Sequence, residues 1–234
     1  MRIYAHRGAS RELPENTLPA FRRALELGAG ALETDVHETR DGHLVVSHDP
    51  SCARVFGVAR VIAQSTLAEV RAVGAPSLEE LVRAFPGVPL NVDLKSGAAG
   101  LAVETLRRLG AEEQVTLAAF ESATVRRVRA LGYRGPTGLG RGEVARLLAL
   151  PAALQRPPAG AVAQLPVSLA RRWVVERCHA LGLRVDFWTV NDPAEALRIA
   201  ALGADGIMTD DPAVIVPALR RGEEGAGEPG VGGT

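Results

Sequence analysis

Residues 184–209, RVDFWTVNDPAEALRIAALGADGIMT, contain the pattern that decides the fold. Two short apolar runs, RVDFWTV (184–190) and DGIMT (205–209), have the length and composition of buried strands. Between them, DPAEALRIAALGA has the apolar spacing of an amphipathic helix and ends in Leu-Gly followed by Ala, a common pattern at a helix C-terminus. This order of strand, helix and strand predicts two parallel strands joined by a helix.

The same unit recurs along most of the chain. The candidate strands are RIYAH (2–6), ALETDV (31–36), LNVDLK (90–95), VTLAAF (115–120), PTGLG (136–140), AVAQL (161–165), RVDFWTV (184–190) and DGIMT (205–209). Eight strand–helix units in a chain of 234 residues predict an α/β fold, a closed (β/α)8 TIM barrel, as a single catalytic domain over residues 1–221. The alternative, an open doubly wound sheet, normally has a nucleotide-binding glycine loop after its first strand, and HRGASRELPEN lacks that pattern.

Two segments depart from this repeat. The connection over residues 49–76 is longer than a strand–helix unit needs, so we expect a small insertion over one rim of the barrel. Residues 222–234, GEEGAGEPGVGGT, are rich in glycine and have a single branched apolar residue, Val231. Such a segment buries too little apolar surface to offset the entropy of ordering, and we predict a disordered C-terminal tail.

Charge and cysteine content narrow the class of protein. The 27 acidic and 27 basic residues give a formal net charge of zero, which provides no overall field to attract nucleic acid or an anionic membrane. Cys52 and Cys178 match no metal-binding or redox spacing. No window approaches the roughly 18 apolar residues of a membrane span, and MRIYAHRGAS lacks the apolar core of a signal peptide. We expect a soluble cytoplasmic protein, a monomer, with a small-molecule substrate.

Carboxylates are concentrated at the ends of predicted strands, where barrel enzymes have their active sites. Glu33 and Asp35 end the second predicted strand, and Asp93 and Lys95 end the third. Residues two apart on a strand share a face, so each pair projects together. If three carboxylates converge in the barrel mouth, a divalent cation would relieve their repulsion, and oxygen ligands favour Mg²⁺, Ca²⁺ or Mn²⁺ over zinc. The alternative interpretation is structural: an arginine ion pair at the first site and an Asp93–Lys95 salt bridge at the second.

Two histidines lie at predicted rim positions. His6 ends the first strand, and His48 follows the alternating run GHLVVSH, which has the pattern of an extended segment over the same rim. Beside a carboxylate cluster, such a pair favours a general acid and a general base, because histidine titrates near working pH. We expect His37, His43 and His179 to be incidental.

Basic side chains accompany the cluster. Lys95 is the only lysine among 27 lysines and arginines. The alternative for Arg7 is an ordinary surface charge, but its position at a strand end, with Lys95 opposite, favours capture of an anion. Three carboxylates, one divalent cation and these two side chains sum to a single positive charge, which one phosphodiester neutralises.

Five motifs, in this order, resemble the successive signatures of the glycerophosphodiester phosphodiesterases: HRGASRELPENT, ALETDVHETRDGHLVVSHDP, NVDLK, FWTVND and GADGIMTDDP. They extend over nearly the whole chain up to about residue 217. The resemblance implies a TIM barrel with a small insertion after the second strand and a divalent metal ion, Mg²⁺, Ca²⁺ or Mn²⁺. It also implies hydrolysis of glycerophosphodiesters to glycerol 3-phosphate and an alcohol by two catalytic histidines.

Site residues follow from the resemblance by position. It implies that the catalytic acid and base are His6 and His48, that the metal ligands are Glu33, Asp35 and Asp93, and that the phosphate contacts are Arg7 and Lys95. It further implies that the substrate pocket includes Glu15 and Asn16, which build the first loop, and Phe120 and Trp188, which form a wall against the glycerol moiety.

The chain departs from the family at two places. The family usually has glutamate at the position of Asp93, so the third ligand is one methylene shorter. The loop SCARVFG after Asp49 differs from the commoner Arg-Thr-Thr, which leaves the headgroup preference open. We interpret the single lysine as a compact ammonium that fits between Asp93, the metal and a phosphate oxygen, where a guanidinium is too broad.

Two other functions are compatible with parts of this pattern. The nearest is a related barrel enzyme that acts on phospholipids or releases a cyclic phosphate. The other is a non-catalytic barrel that binds phosphorylated ligands. Binding alone needs no paired acid and base, so the presence of both His6 and His48 argues against the second.

Overall fold

The structure, a computed structural model, describes residues 1–95, 97–151, 154–155 and 158–226. Within these residues the strands are β1 (Arg2–His6), β2 (Ala31–Glu38), β3 (Leu44–Val46), β4 (Leu90–Leu94), β5 (Val115–Ala118), β6 (Val162–Pro166), β7 (Arg184–Trp188) and β8 (Gly206–Thr209). The α-helices are α1 (Leu18–Glu26), α2 (Ala53–Phe56), α3 (Leu67–Arg71), α4 (Leu78–Ala84), α5 (Ala99–Arg108), α6 (Ser122–Ala130), α7 (Arg141–Ala149), α8 (Arg172–Ala180), α9 (Pro193–Ala201) and α10 (Pro212–Ala226).

One parallel sheet organises the molecule. Its strand order is β5-β4-β2-β1-β8-β7-β6, and β3 pairs with β2 in the antiparallel direction. The sheet and its helices confirm the predicted TIM-barrel-like α/β fold.

The predicted strand PTGLG (136–140) is the exception. It forms only two isolated parallel bridges, one between Leu117 and Thr137 and one between Gly138 and Val162. Proline has no amide hydrogen to donate and glycine has no side chain to pack, so this segment is a poor strand former. The two bridges nevertheless connect β5 with β6, the two edges of the sheet.

Alternation along the strands separates an apolar outer face from a polar inner face. All of β2 except its last residue is buried. Leu32 and Val36 belong to the apolar cluster that the sheet forms with its helices. The alternate residues Glu33 and Asp35 project from the opposite face, into the barrel. A strand that is buried on both faces thus has carboxylates on one of them.

The segment predicted as an insertion, residues 49–76, forms a small unit with its own core. It contains α2, a 3₁₀ turn at Ile62–Gln64 and α3. Buried apolar residues of this unit pack on Val45 of β3, and they are Cys52, Ile62, Val70 and Ala75. The helix α3 begins with a capping box formed by Thr66 and Glu69. The packing on β3 holds the unit against the barrel.

Helix ends follow the Leu-Gly pattern. Gly182 and Gly203 come after α8 and α9 with φ values of +73° and +86°. This left-handed conformation favours glycine, which confirms these predicted helix ends.

The C-terminal helix α10 continues past Arg221 into the segment for which we predicted a disordered tail. The remainder of that segment, 227–234, lies outside the described residues, so the tail stays a prediction. In the described part of the chain, no helix combines the length and the apolarity needed to cross a membrane. The cytoplasmic location and the monomeric state also stay predictions.

Asp186 on β7 is a buried acid beneath the strand ends. It is 1% exposed, and its Oδ2 has no hydrogen-bond partner among the described residues. Burial raises the pKa of Asp186 to about 6, against the opposing charge of Arg184. The folded state favours the neutral acid. The loss of folding stability caused by ionising Asp186 is therefore absent below the unfolded pKa of about 4 and grows as the pH rises. Asp186→Asn should therefore raise the free energy of unfolding by up to about 3 kcal/mol at pH 8.

Urea unfolding at about pH 4 and about pH 8 measures this difference. Asp41→Asn is the control, because a hydrogen bond from Thr39 lowers the pKa of Asp41 and its charge is stabilising. The control should lose stability at the higher pH. A stability gain for Asp186→Asn that is as large at the lower pH as at the higher would contradict the prediction.

Candidate active site

The parallel register of β1, β2 and β4 brings the predicted residues together at the C-terminal end of the barrel. His6 is level with Glu33, and Asp35 is level with Asp93. Lys95 follows β4, and its Nζ lies 2.9 Å from Oδ1 of Asp35 and donates a hydrogen bond to Oδ2 of Asp93. Three neighbouring strands therefore place one acid–base candidate, three carboxylates and a cation in one cluster.

His6 is held by a carboxylate from the other side of β1. Its Nδ1 lies 2.6 Å from Oδ1 of Asp210, which follows β8, and Nδ2 of Asn191 donates to Oδ2 of the same aspartate at 2.7 Å. Nε2 of His6 lies 3.8 Å from Oε2 of Glu33. Burial lowers the pKa of His6, but the charges of Glu33 and Asp210 outweigh it, and the net shift is upward. The Nδ1 contact leaves Nε2 as the nitrogen that can exchange a proton.

His48 has the same kind of partner. Its Nδ1 lies 2.7 Å from Oδ1 of Asp49, whose Oδ2 accepts a hydrogen bond from Nε of Arg54 at 2.6 Å. The hydrogen bonds from Arg54 and His48 lower the pKa of Asp49 to about 2. Nε2 of His37 lies 3.0 Å from the carbonyl oxygen of His48. Both predicted catalytic histidines thus carry an ionised carboxylate on Nδ1.

The aspartates that contact these histidines were not among the predicted site residues. Asp49 directly follows its histidine in the motif SHDP, and this adjacency was a usable signal. Asp210 is 204 residues from His6 in the chain, and only the pairing of β1 with β8 brings the two together. Arg54 lies in the loop SCARVFG, whose sequence differs from the family pattern, so the resemblance assigned it no role.

The carboxylate cluster is incompletely neutralised. Glu33 is buried, and its Oε2 and Oδ2 of Asp35 have no hydrogen-bond partner within the described part of the chain. Burial raises the pKa of Glu33, and the neighbouring charge of Asp35 raises it further. Burial also raises the pKa of Asp93, against the charges of Lys95 and His48. In place of hydrogen bonds, Oδ2 of Asp35 has an ion-pair contact with Nε of Arg7 at 3.3 Å, and Oε2 of Glu33 lies 3.8 Å from Nε2 of His6. Buried carboxylate oxygens without a hydrogen bond are costly, so the cluster can accept a further cation.

These oxygens are suitable ligands for a hard divalent cation. Glu33 and Asp35 supply the two oxygens that have no hydrogen bond among the described residues, and Asp93 is the third carboxylate. Over the residues that the structure describes, no three side chains of the metal-binding types already surround a common point. Lys95 lies between Asp35 and Asp93 instead. The residues therefore fit a metal ion in their chemistry, and Lys95 shares two of the three carboxylates.

Arg7 lies against the same cluster. Its Nε is 3.3 Å from Oδ2 of Asp35, and its Nη1 donates to Oε1 of Glu15 at 3.2 Å. Arg7 has a φ of +60°, which is uncommon for a residue with a side chain, and its carbonyl oxygen accepts the amide of Asn16 at 2.9 Å. The Oγ1 of Thr34 donates to Oδ1 of the buried Asn16 at 2.7 Å. Glu15 thus contacts a predicted phosphate ligand, while Asn16 fixes the loop to β2.

Phe120 and Trp188 lie at the same end of the barrel, beyond β5 and at the end of β7. They are 65% and 44% exposed, which is unusual for aromatic side chains. The guanidinium carbon of Arg141 is 5.6 Å from the ring centroid of Phe120. Their role as a wall of the substrate pocket stays a prediction.

The sequence of this chain matches one family of known proteins. Residues 6–112 and 92–214 match the glycerophosphoryl diester phosphodiesterase family. A protein of Caldanaerobacter subterraneus subsp. tengcongensis named glycerophosphodiester phosphodiesterase is 30% identical over 247 residues, covering 94% of this chain and 98% of that protein. The "Probable glycerophosphodiester phosphodiesterase 2" of Mycobacterium tuberculosis is 33% identical over 232 residues, covering 88% of this chain and 86% of that protein.

Solved structures show the same fold. The crystal structure of a glycerophosphodiester phosphodiesterase from Agrobacterium tumefaciens superposes with a TM-score of 0.80 at 23% identity. The superposition covers 94% of this chain and 99% of that one. The barrel architecture is therefore common to both proteins.

Proposed function

The chain belongs to the glycerophosphoryl diester phosphodiesterase family, and we propose that it hydrolyses glycerophosphodiesters to glycerol 3-phosphate and an alcohol, with a divalent metal ion. The observation that carries the proposal is the pair of carboxylate-bound histidines beside one cluster of buried acids and basic side chains. The relatives named for this activity match over most of their length, which supports the substrate class.

Arg7 and Lys95 are proposed to bind the phosphate. Arg7 lies beside Asp35, and Lys95 lies between Asp35 and Asp93, so both cations already face the carboxylate cluster. A guanidinium presents a planar fork of donors and an ammonium presents a compact charge, and together they can stabilise the non-bridging oxygens as negative charge develops.

His6 and His48 are proposed to transfer protons. One removes a proton from the nucleophile, and the other protonates the leaving alkoxide. Asp210 and Asp49 hold a proton on Nδ1 of each ring, which keeps Nε2 available for both roles. Their ionised carboxylates also stabilise the imidazolium that forms during transfer.

Glu33, Asp35 and Asp93 are proposed to hold the metal ion. When bound, such an ion supplies Lewis-acid stabilisation of charge on the phosphoryl oxygens. The buried oxygens of Glu33 and Asp35 that have no hydrogen bond among the described residues support this assignment. Asp93 would supply the third carboxylate, which it shares with Lys95.

Metal removal tests the proposed reaction. Protein stripped with EDTA should lose about 10²-fold or more of its glycerol 3-phosphate release from glycerophosphocholine and glycerophosphoethanolamine. Adding back Mg²⁺, Ca²⁺ or Mn²⁺ singly should restore it with at least one ion. An enzyme-coupled assay measures the release, and circular dichroism checks that the stripped protein remains folded.

The alternatives give different products. Phosphorus NMR would show a cyclic phosphate as the final product of an enzyme that stops at that stage. Release from lysophospholipids alone would indicate a lipid-acting enzyme. Folded protein that releases no phosphate monoester with any of the three ions would contradict the proposed function.

A further inference from the structure

Arg54, on the short helix α2, connects segments that are far apart in the chain. Its Nη1 and Nη2 donate to the two carboxylate oxygens of Glu15 at 2.9 and 2.7 Å. Its Nε donates to Oδ2 of Asp49 at 2.6 Å. One guanidinium therefore holds the loop after β1 and the segment that carries His48 at the same time.

Each partner of Arg54 contacts a proposed active-site residue. Asp49 uses its other oxygen, Oδ1, to hold Nδ1 of His48. Glu15 uses Oε1 to hold Nη1 of Arg7. The contacts thus run from His48 through Asp49, Arg54 and Glu15 to Arg7, without a gap.

Charge keeps this chain of contacts intact near neutral pH. Burial would raise the pKa of Glu15, but hydrogen bonds and charge from Arg54 and Arg7 outweigh it and lower the pKa. The pKa of Asp49 is lowered to about 2. Both acids are ionised, so the hydrogen bonds of Arg54 are charge-assisted.

The alternative interpretation is that Arg54 forms an ordinary exposed ion pair. The Arg54 side chain is 49% exposed, and exposed ion pairs usually contribute little. Arg54 differs from an ordinary surface pair because it is bidentate on Glu15, whose side chain is 16% exposed, and it also binds a second carboxylate. Such a network constrains geometry even where it adds little stability.

We propose that Arg54 is a positioning residue that fixes His48 and Arg7 in one arrangement by holding Asp49 and Glu15 together. The proposal rests on the proposed phosphodiesterase function. The side-chain hydrogen bonds of Arg54 within the described residues go to Asp49 and Glu15, so it acts on His48 and Arg7 through these two carboxylates. A lysine cannot replace its fork, because one ammonium lacks the planar donor set that matches a carboxylate.

Kinetics of three variants test this role. Arg54→Ala should lower kcat/KM for glycerophosphocholine by about 10- to 100-fold, as loss of a group that orients a catalytic histidine commonly does. Arg54→Lys keeps the charge and should remain within about threefold of Arg54→Ala. Arg71→Ala is the matched control: it removes another ion pair of the insertion, with Glu80 at 2.5 Å, and should stay within about twofold of wild type.

A variant cycle separates positioning from a general structural role. In a background that carries Asp49→Asn and Glu15→Gln, the further change Arg54→Ala should cost less than about threefold. Nitrogen NMR of labelled histidine, with His48 assigned from the His48→Ala spectrum, should show the Nδ1–H tautomer in wild type. Arg54→Ala should shift the population toward Nε2–H, because Asp49 is no longer held.

Three results would overturn the proposal. They are wild-type kcat/KM in Arg54→Ala, an undiminished loss in the Asp49→Asn/Glu15→Gln background, or an unchanged His48 tautomer. The tautomer measurement needs no substrate. If wild type releases no glycerol 3-phosphate, the proposed function fails, and the tautomer population still decides whether Arg54 positions His48.

Discussion

In His6→Ala and in His48→Ala, kcat for glycerophosphodiester hydrolysis should fall by about 10²- to 10⁴-fold while KM changes little. Each change removes the imidazole whose Nδ1 contacts an aspartate, Asp210 or Asp49. The aspartate remains, but no proton-transferring group replaces Nε2. The loss therefore falls on proton transfer rather than on binding, and steady-state kinetics with glycerophosphocholine measures it.

His179 provides a matched control. Its Nε2 lies 2.8 Å from Oδ2 of Asp205, so it is also a histidine with a carboxylate partner. It lies on α8, and Asp205 precedes β8, at the end of the strand opposite to Asp210. His179→Ala should keep wild-type kcat. Comparable losses in all three variants would indicate damage to the barrel and contradict the acid–base assignment.

Strand and helix types were predictable because each unit of the barrel repeats the same local signals. Apolar runs of strand length alternate with helical periodicity, and Leu-Gly marks helix ends at Gly182 and Gly203. The prediction of a full strand over residues 136–140 was wrong. Its position in the repeat favours a strand, whereas its proline and glycines weaken the hydrogen bonding between strands. The sequence pattern does not show which of these two effects prevails.

The sequence predicted which residues lie at the strand ends of the candidate site, but not the hydrogen bonds that connect them to the rest of the protein. Side-chain alternation puts Glu33 with Asp35 on one face of their strand from sequence alone, whereas the register that sets Asp35 level with Asp93 comes from the structure. The contacts of Asp210 and Arg54 depend on barrel closure and on the course of an insertion. No local sequence pattern encodes barrel closure or the course of the insertion, so the roles of Asp210 and Arg54 were not predicted.

The position of Lys95 extends the explanation of the single lysine. We interpreted it as a compact charge beside Asp93, and the structure places Nζ between Asp93 and Asp35. Two carboxylates thus share one ammonium. Sequence spacing gave the i, i+2 partner, whereas the cross-strand partner Asp35 required the register of β2 with β4.

Glu33→Gln should change activity and stability in opposite directions. The amide is a weaker metal ligand, so turnover with the best metal ion should fall by about 10²-fold or more. In metal-free protein at about pH 8, the same change removes a buried carboxylate whose Oε2 has no partner among the described residues, and should raise the free energy of unfolding by about 1–3 kcal/mol. Urea unfolding and initial rates measure the two effects on one preparation.

Metal linkage makes this prediction specific to the site. At a concentration 100 times its dissociation constant, a bound ion stabilises wild type by about 2.7 kcal/mol, and Glu33→Gln should lose most of that increment. Glu143→Gln is the control, because Glu143 pairs with Arg129 at 2.6 Å and its loss should lower stability without changing turnover. Equal stabilisation of wild type and Glu33→Gln by the ion would show that Glu33 is not a ligand. A metal ligand of this kind lowers the stability of the metal-free protein, because its carboxylate is buried, and the bound cation restores that stability.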